Sequence, residues 1–138
     1  MKRLLFVVLL FTTFACSQQL ESPKNLATQI DALIEKDMYS DALAVLEGQE
    51  ASEEVNTLKE KVYLNYGLFL EYRDSNITNM RDKMNGALEQ YVEVLKLNKD
   101  NEKAITEIEQ ILGIYSTFPD RSPDETIVAE LRELGFQI

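Results

Sequence analysis

The sequence predicts an all-α protein, and three observations support this prediction. The 138 residues include only five glycines and three prolines, the two residues that disfavour helices most. Apolar residues recur at intervals of three and four along most of the chain, which is the period of an amphipathic helix. Serine or asparagine stands directly before several of these segments, where such residues cap helices. We therefore expect about six helices.

The first 15 residues have the features of a secretory signal peptide. Lys2 and Arg3 form a short basic start. The apolar run from Leu4 to Phe14 has 11 residues, too few to span a membrane of ~30 Å at ~1.5 Å per residue. The chain becomes polar directly after Cys16. These residues are expected to direct export and to take no part in the fold.

Cys16 directly follows a small residue, Ala15, at the end of the apolar run. This arrangement resembles the signal of bacterial lipoproteins, in which the peptide is cut before the cysteine and lipid is attached to it. The resemblance implies a lipidated Cys16, a tether over residues 16–24 and a helical domain over 25–138. Cleavage by the ordinary signal peptidase, giving a soluble secreted or periplasmic protein, and an uncleaved anchor are the alternatives.

Two helices are predicted next, joined by a short polar turn. Gly48 is expected to end the second helix, because glycine commonly follows a helix C-terminus. The apolar stripe of the first helix consists of Leu26, Ile30, Leu33 and Ile34, and the second helix contains Ala42, Leu43, Val45 and Leu46.

The third predicted helix is long, since nothing interrupts it between its cap at Ser52 and Asp74. Two apolar stripes run along it, so it is expected to have neighbours on both sides. Gly67 lies in mid-helix, where glycine costs about 1 kcal/mol relative to alanine. Close packing of another helix is the expected reason for this glycine.

The polar stretch 74–79 predicts a loop, and two further helices follow it. Asn101 is expected to cap the second of these. The apolar positions of the fourth helix are Met80, Met84, Ala87, Leu88, Tyr91 and Leu95, and those of the fifth are Ala104, Ile105, Ile108, Ile111, Leu112 and Tyr115.

A final helix is predicted to start at Ser122, with Pro123 in its first turn and Glu125 completing a capping box. Gly135 is expected to end it, with Phe136 making the apolar contact that often follows. This helix would cover the exposed end of the preceding helices.

Small and large residues alternate through the middle of the chain. The pattern reads Tyr63-x2-Tyr66-Gly67-x2-Leu70, then Ala87-x3-Tyr91, then Ala104. It resembles the tetratricopeptide repeat, and the resemblance implies antiparallel helical hairpins stacked as a solenoid, with a C-terminal capping helix. The interval between Ala42 and Ala87 is longer than the family's repeat of ~34 residues. A non-repeat helical bundle is therefore the alternative.

Composition excludes several kinds of chemistry. The chain has no histidine and one cysteine, so it cannot form a Cys/His metal site, an internal disulfide or a histidine-based catalytic triad. A net charge of −10 disfavours nucleic acid and anionic lipid as partners. Paired acids such as Glu107 and Glu109 are expected on solvated helix faces. We expect no enzymatic activity, no cofactor and no metal.

The resemblance also implies where a partner would bind, because the first helix of each tetratricopeptide hairpin lines the binding groove. The partner-binding candidates that follow are Leu64, Leu68, Glu71, Tyr72, Gln110 and Ile114, with Lys61, Lys103 and Thr106 beside them. Leucine at 64 and 68 favours an apolar or amphipathic target over a carboxylate. Alternatively, Leu64 and Leu68 belong to the core of a non-repeat bundle.

The expected function is that of a non-catalytic protein-interaction module in a lipid-anchored bacterial envelope lipoprotein. It would recruit or hold another envelope protein or peptide, at the outer membrane or on the periplasmic face of the inner membrane. A structural spacer within a larger envelope complex is the main alternative, and a small-ligand binder is a weaker one.

Overall fold

The computed structural model describes residues 25–138, and within them the protein is all-α, as predicted. The signal peptide, Cys16 and the tether predicted over 16–24 lie outside the described residues. The described elements are α1 Leu26–Ile34, α2 Tyr39–Glu47, α3 Glu53–Leu68, a π-helical turn Phe69–Arg73, α4 Met80–Leu97, α5 Glu102–Ser116 and α6 Glu125–Glu133.

Several helices begin or end at the residues that the local capping patterns predict. The Ser52 hydroxyl accepts a hydrogen bond from the Val55 backbone N–H at 3.2 Å, as expected for the start of α3. The Asn101 side chain accepts one from Ala104 N–H at 2.9 Å and so caps α5. Gly48 directly follows the last residue of α2. These three predictions are confirmed.

Gly67 lies against the ring of Tyr91, which confirms the close packing expected there. A Cβ atom at position 67 would lie 2.4 Å from Cε1 of Tyr91, well inside van der Waals contact. The Tyr91 ring is completely buried. Glycine is therefore required at this position for α3 and α4 to approach as closely as they do.

Helix α4 is the centre of the larger of two hydrophobic clusters. It packs against α3, the π-helical turn, α5 and α6. The smaller cluster joins α1, α2 and the first half of α3 around Ile30, Leu46 and Val62. Tyr66 and Phe69 pack against both clusters, so the two clusters are continuous.

Helices α1, α3 and α5 run in the same direction. Asp31 in α1 pairs with Lys61 in α3 at 2.7 Å, and further along both segments Asp37, just after α1, pairs with Arg73 in the π-helical turn at 2.7 Å. Contacts between α3 and α5 follow the same order. They join Glu60 to Asn101 at 2.7 Å near the start and Tyr72 to Glu107 at 2.6 Å further along.

The start predicted for the last helix is wrong. Helix α6 begins at Glu125 rather than Pro123, and no side chain caps it. Pro123 is buried, and the Asp124 carboxylate accepts a hydrogen bond from Arg81 at 2.7 Å rather than from a backbone N–H of α6. The Asp124–Arg81 pair, which joins the start of α6 to α4, thus takes the place of the local capping box.

The predicted end of α6 is confirmed. Gly135 has a positive φ of 99°, and its N–H donates to the Arg132 carbonyl at 3.0 Å. The Phe136 N–H donates to the Leu131 carbonyl at 3.0 Å, which completes a Schellman motif. The half-buried Phe136 ring packs against the larger cluster.

Among the described residues, no helix has the length and apolar character needed to cross a membrane.

Candidate functional site

The candidate partner-binding residues lie where the C-terminal half of α3 and the π-helical turn pass beside α5. Three of them, Glu71, Tyr72 and Gln110, are joined directly by hydrogen bonds. The structure therefore brings residues from two separate segments of the predicted face together. We refer to this surface, carried by α3, the π-helical turn and α5, as the α3–α5 face.

The π-helical turn gives Tyr72 its position. The Asp74 N–H donates to the Phe69 carbonyl at 2.8 Å, a bond between residues five apart that defines the wider π turn. A wider turn holds more residues than an α-helical turn, so the positions that follow Phe69 are rotated about the helix axis relative to a regular α-helix. Short π turns are often found at functional sites.

Tyr72 connects the two helices through its hydroxyl. The hydroxyl donates to the Glu107 carboxylate at 2.6 Å and accepts from the Gln110 side-chain amide at 2.7 Å. Gln110 also donates to Glu71 at 3.2 Å. Although its hydroxyl is fixed, Tyr72 as a whole is 55% exposed. A large aromatic ring is thus held rigidly at the surface.

Glu71 receives a second hydrogen bond from inside the core. The hydroxyl of the buried Tyr91 donates to its carboxylate at 2.8 Å. Burial is the largest influence on Glu71 and raises its pKa, and the nearby Glu107 carboxylate acts in the same direction. Burial and the bond to Glu71 likewise raise the pKa of Tyr91. The network therefore links the surface to the Gly67–Tyr91 contact between α3 and α4.

Glu107 is the other acid of the network, and the expectation that it lies on a solvated face is wrong. It is only 3% exposed, because it points back toward the π-helical turn. Burial favours a higher pKa, but hydrogen bonds from Lys103 and Tyr72 outweigh that effect and lower the pKa of Glu107. The carboxylate is therefore held in its charged form between two donors.

Lys103 joins the network through its bond to Glu107, whereas the apolar candidates Leu64, Leu68 and Ile114 make no hydrogen bond to it. Leu64 is half-buried and lines a shallow hollow of about 240 Å³ together with Lys61 and Asn101. Leu64 and Leu68 both pack against the larger cluster and are half-buried, so each contributes to the core as well as to the surface. Ile114 is 39% exposed, one helical turn beyond Gln110.

Two members of the network, Glu107 and Tyr91, are absent from the predicted site. Lys103 and Glu107 are four residues apart, a spacing that predicts an ion pair on a helix but gives no indication of burial. Tyr91 matches a core position of the repeat pattern, and only the close approach at Gly67 turns its hydroxyl toward Glu71. No buried side-chain polar atom among residues 25–138 lacks a hydrogen-bond partner.

Both acids of the network are hydrogen-bonded to side-chain donors, Glu71 to Tyr91 and Gln110, and Glu107 to Tyr72 and Lys103. Among residues 25–138, no group of three or more acids, histidines or cysteines is arranged to hold a metal ion.

No protein-family model matches the chain, and searches of curated proteins and of solved structures found no match.

Proposed function

We propose that the protein is a non-catalytic interaction module that binds another envelope protein or peptide through the α3–α5 face. The proposal rests on the shape and chemistry of this face. One exposed aromatic ring, Tyr72, is held in place by hydrogen bonds between its hydroxyl and two side chains of α5, Glu107 and Gln110. Rigid tyrosines are efficient anchors for a partner, because little side-chain freedom is lost when they bind.

A tetratricopeptide-like arrangement is part of the proposal, and the direction of the helices supports it. Successive first helices of such hairpins run parallel, and the common direction of α1, α3 and α5 is consistent with that arrangement. The cross-helix pairs Asp31–Lys61 and Glu60–Asn101 join these helices. The π-helical turn and the loop 74–79, both between Ala42 and Ala87, would account for the long interval in the sequence.

A partner that fits this face has apolar side chains with polar groups between them. Leu64, Tyr72 and Ile114 offer apolar contact, while Lys103 and Gln110 offer exposed polar atoms. An amphipathic helix or an extended apolar peptide meets this requirement. Since the hollow beside Leu64 is shallow, an enclosed small ligand is a poorer fit.

An envelope pull-down with Tyr72→Ala tests the proposal. We expect the parent protein to recover a specific partner and Tyr72→Ala to lose most of it. Met38→Ala is the matched control, because Met38 is an exposed apolar residue, 40% accessible, in the α1–α2 turn and not on α3, the π-helical turn or α5. Far-ultraviolet circular dichroism should show unchanged helicity in both variants.

Equal recovery by Tyr72→Ala and the parent would contradict a role for this face. If Met38→Ala also fails to recover the partner, either the binding surface extends beyond the α3–α5 face or both variants fold incorrectly. The alternative function, a structural spacer, predicts slower exchange with the complex than a recruiting module does. Unlabelled protein would then fail to displace a labelled copy that is already bound in the complex.

We also propose lipid anchoring at Cys16, on the resemblance of the first 16 residues to a lipoprotein signal. Three acyl chains would hold the protein firmly, since each buried CH₂ contributes about 0.8 kcal/mol. Cys16→Ala should move the protein from the membrane fraction to the soluble fraction. Continued sedimentation of this variant with membranes would argue against the anchor.

A further inference from the structure

A second candidate surface, which shares no lining residue with the candidate partner-binding residues, lies at the C-terminal end of α5 beside the linker 117–124. Two hollows meet there. One, of about 460 Å³, is polar and is lined by Asn79, Arg81, Asp120, Arg121 and Ser122. The other, of about 340 Å³, is mainly apolar and is lined in part by Leu112, Tyr115, Phe118, Pro123 and Ile138. Arg121 and Ser122 belong to both hollows.

Arg121 is available to bind an anion. Within residues 25–138, its guanidinium has no carboxylate at ion-pair distance, whereas Arg81 is paired with Asp124 at 2.7 Å. The guanidinium of Arg121 lies over the Phe118 ring, 5.3 Å from the ring centre, and this stacking restricts its orientation. A planar guanidinium held by one face can still donate two parallel hydrogen bonds to a carboxylate from its edge.

The apolar hollow begins at the same residue. Phe118 is 46% exposed and Ile138 is 42% exposed, and both border this hollow. A ligand with a carboxylate at Arg121 would therefore place its neighbouring groups against apolar side chains. Asp120 also lines the polar hollow and opposes any anion that binds there.

We propose that these paired hollows bind a segment of a partner protein in which an acidic side chain stands next to large apolar ones. Charge complementarity at Arg121 selects the acid, and Phe118 and Ile138 select the apolar neighbours. A peptide segment is favoured over a free fatty acid because both hollows are open to solvent and would leave much of an acyl chain exposed. This site is separate from the α3–α5 face and does not depend on the function proposed for that face.

The probe is the capped tripeptide acetyl-Leu-Glu-Leu-amide, titrated into the purified ¹⁵N-labelled full chain and followed by NMR. We expect saturable shifts of amides 117–123 and of the Arg121 side chain. Acetyl-Leu-Gln-Leu-amide and acetyl-Ala-Glu-Ala-amide should each bind at least about tenfold more weakly, since one lacks the charge and the other the apolar contacts.

Two neighbouring substitutions should change the affinity in opposite directions. Arg121→Gln removes the charged donor and should weaken binding at least about tenfold. Asp120→Asn removes the opposing charge and should strengthen binding about two- to fivefold. Because both substitutions fall on the same linker, a general disturbance of this segment cannot produce both results. Lys99→Gln, a cation outside both hollows, should leave the affinity unchanged.

Several results would overturn the proposal. Binding of acetate as tight as that of the tripeptide would indicate an adventitious anion site. Decanoate binding without peptide binding would favour a lipid ligand. The absence of shifts at millimolar peptide, or equal binding by Arg121→Gln, would show that the hollows do not recognise an acidic segment.

Discussion

Gly67→Ala tests the central contact between α3 and α4. The new methyl group would lie 2.4, 2.8 and 2.9 Å from Cε1, Cδ1 and Cζ of Tyr91. Tyr91 cannot turn away freely, because its ring is completely buried and its hydroxyl donates to Glu71 at 2.8 Å. Either α3 and α4 move apart, or Tyr91 loses its hydrogen bond.

The expected loss of stability combines opposing effects. Overpacking a core typically costs about 1–3 kcal/mol. A weakened hydrogen bond to a charged group adds about 1–2 kcal/mol. Alanine recovers about 1 kcal/mol of helix propensity relative to glycine. The net decrease in the free energy of unfolding is therefore about 1–4 kcal/mol.

Gly113→Ala is the matched control. Position 113 lies in the interior of α5, and a Cβ atom there would meet nothing within 4 Å. Only the gain in helix propensity remains, so this variant should be more stable by about 0.5–1 kcal/mol. The two substitutions are chemically identical and have opposite expected signs.

Urea unfolding followed by circular dichroism at 222 nm measures both effects. The midpoint should fall for Gly67→Ala and rise for Gly113→Ala. If Gly67→Ala is stabilised to the same extent as Gly113→Ala, Tyr91 does not pack against Gly67 as described, and the reasoning about the α3–α4 contact fails.

Two further predictions concern the α3–α5 face. The pKa of Glu107 is lower in the folded state than its unfolded value of about 4.5. The charged carboxylate therefore stabilises the fold fully above pH 4.5. This stabilisation is lost as the pH falls through the folded pKa. Glu107→Gln should therefore lower the free energy of unfolding by about 1–3 kcal/mol at pH 7 and by less at pH 3.5, as measured by urea unfolding. An equal loss of stability at both pH values would contradict the pairing of a charged Glu107 with its donors. Asn101→Ala removes the cap of α5 and the bond to Glu60 and should cost about 1–2 kcal/mol, whereas Asn101→Ser should retain the cap, place no charge beside Glu60 and lose less in thermal unfolding. Equal losses would mean that capping is not the main role of Asn101.

The sequence by itself determined the helices and most of their ends. Ser52 and Asn101 cap α3 and α5 through bonds within three residues, so their roles depend on neighbours along the chain. Gly135 ends α6 for the same reason, since glycine adopts a positive φ without steric cost. The glycine at 67 also indicated close packing, because nothing local explains glycine in mid-helix.

Only the tertiary structure decided which side chains form the candidate site. The burial of Glu107 depends on a π-helical turn 35 residues earlier in the chain, through its 2.6 Å bond with Tyr72. The late start of α6 depends on Asp124 pairing with Arg81, across a separation of 43 residues. Helical periodicity and capping patterns describe neighbours within about four residues. Contacts between distant segments are set by how the helices pack, and these patterns do not contain that information.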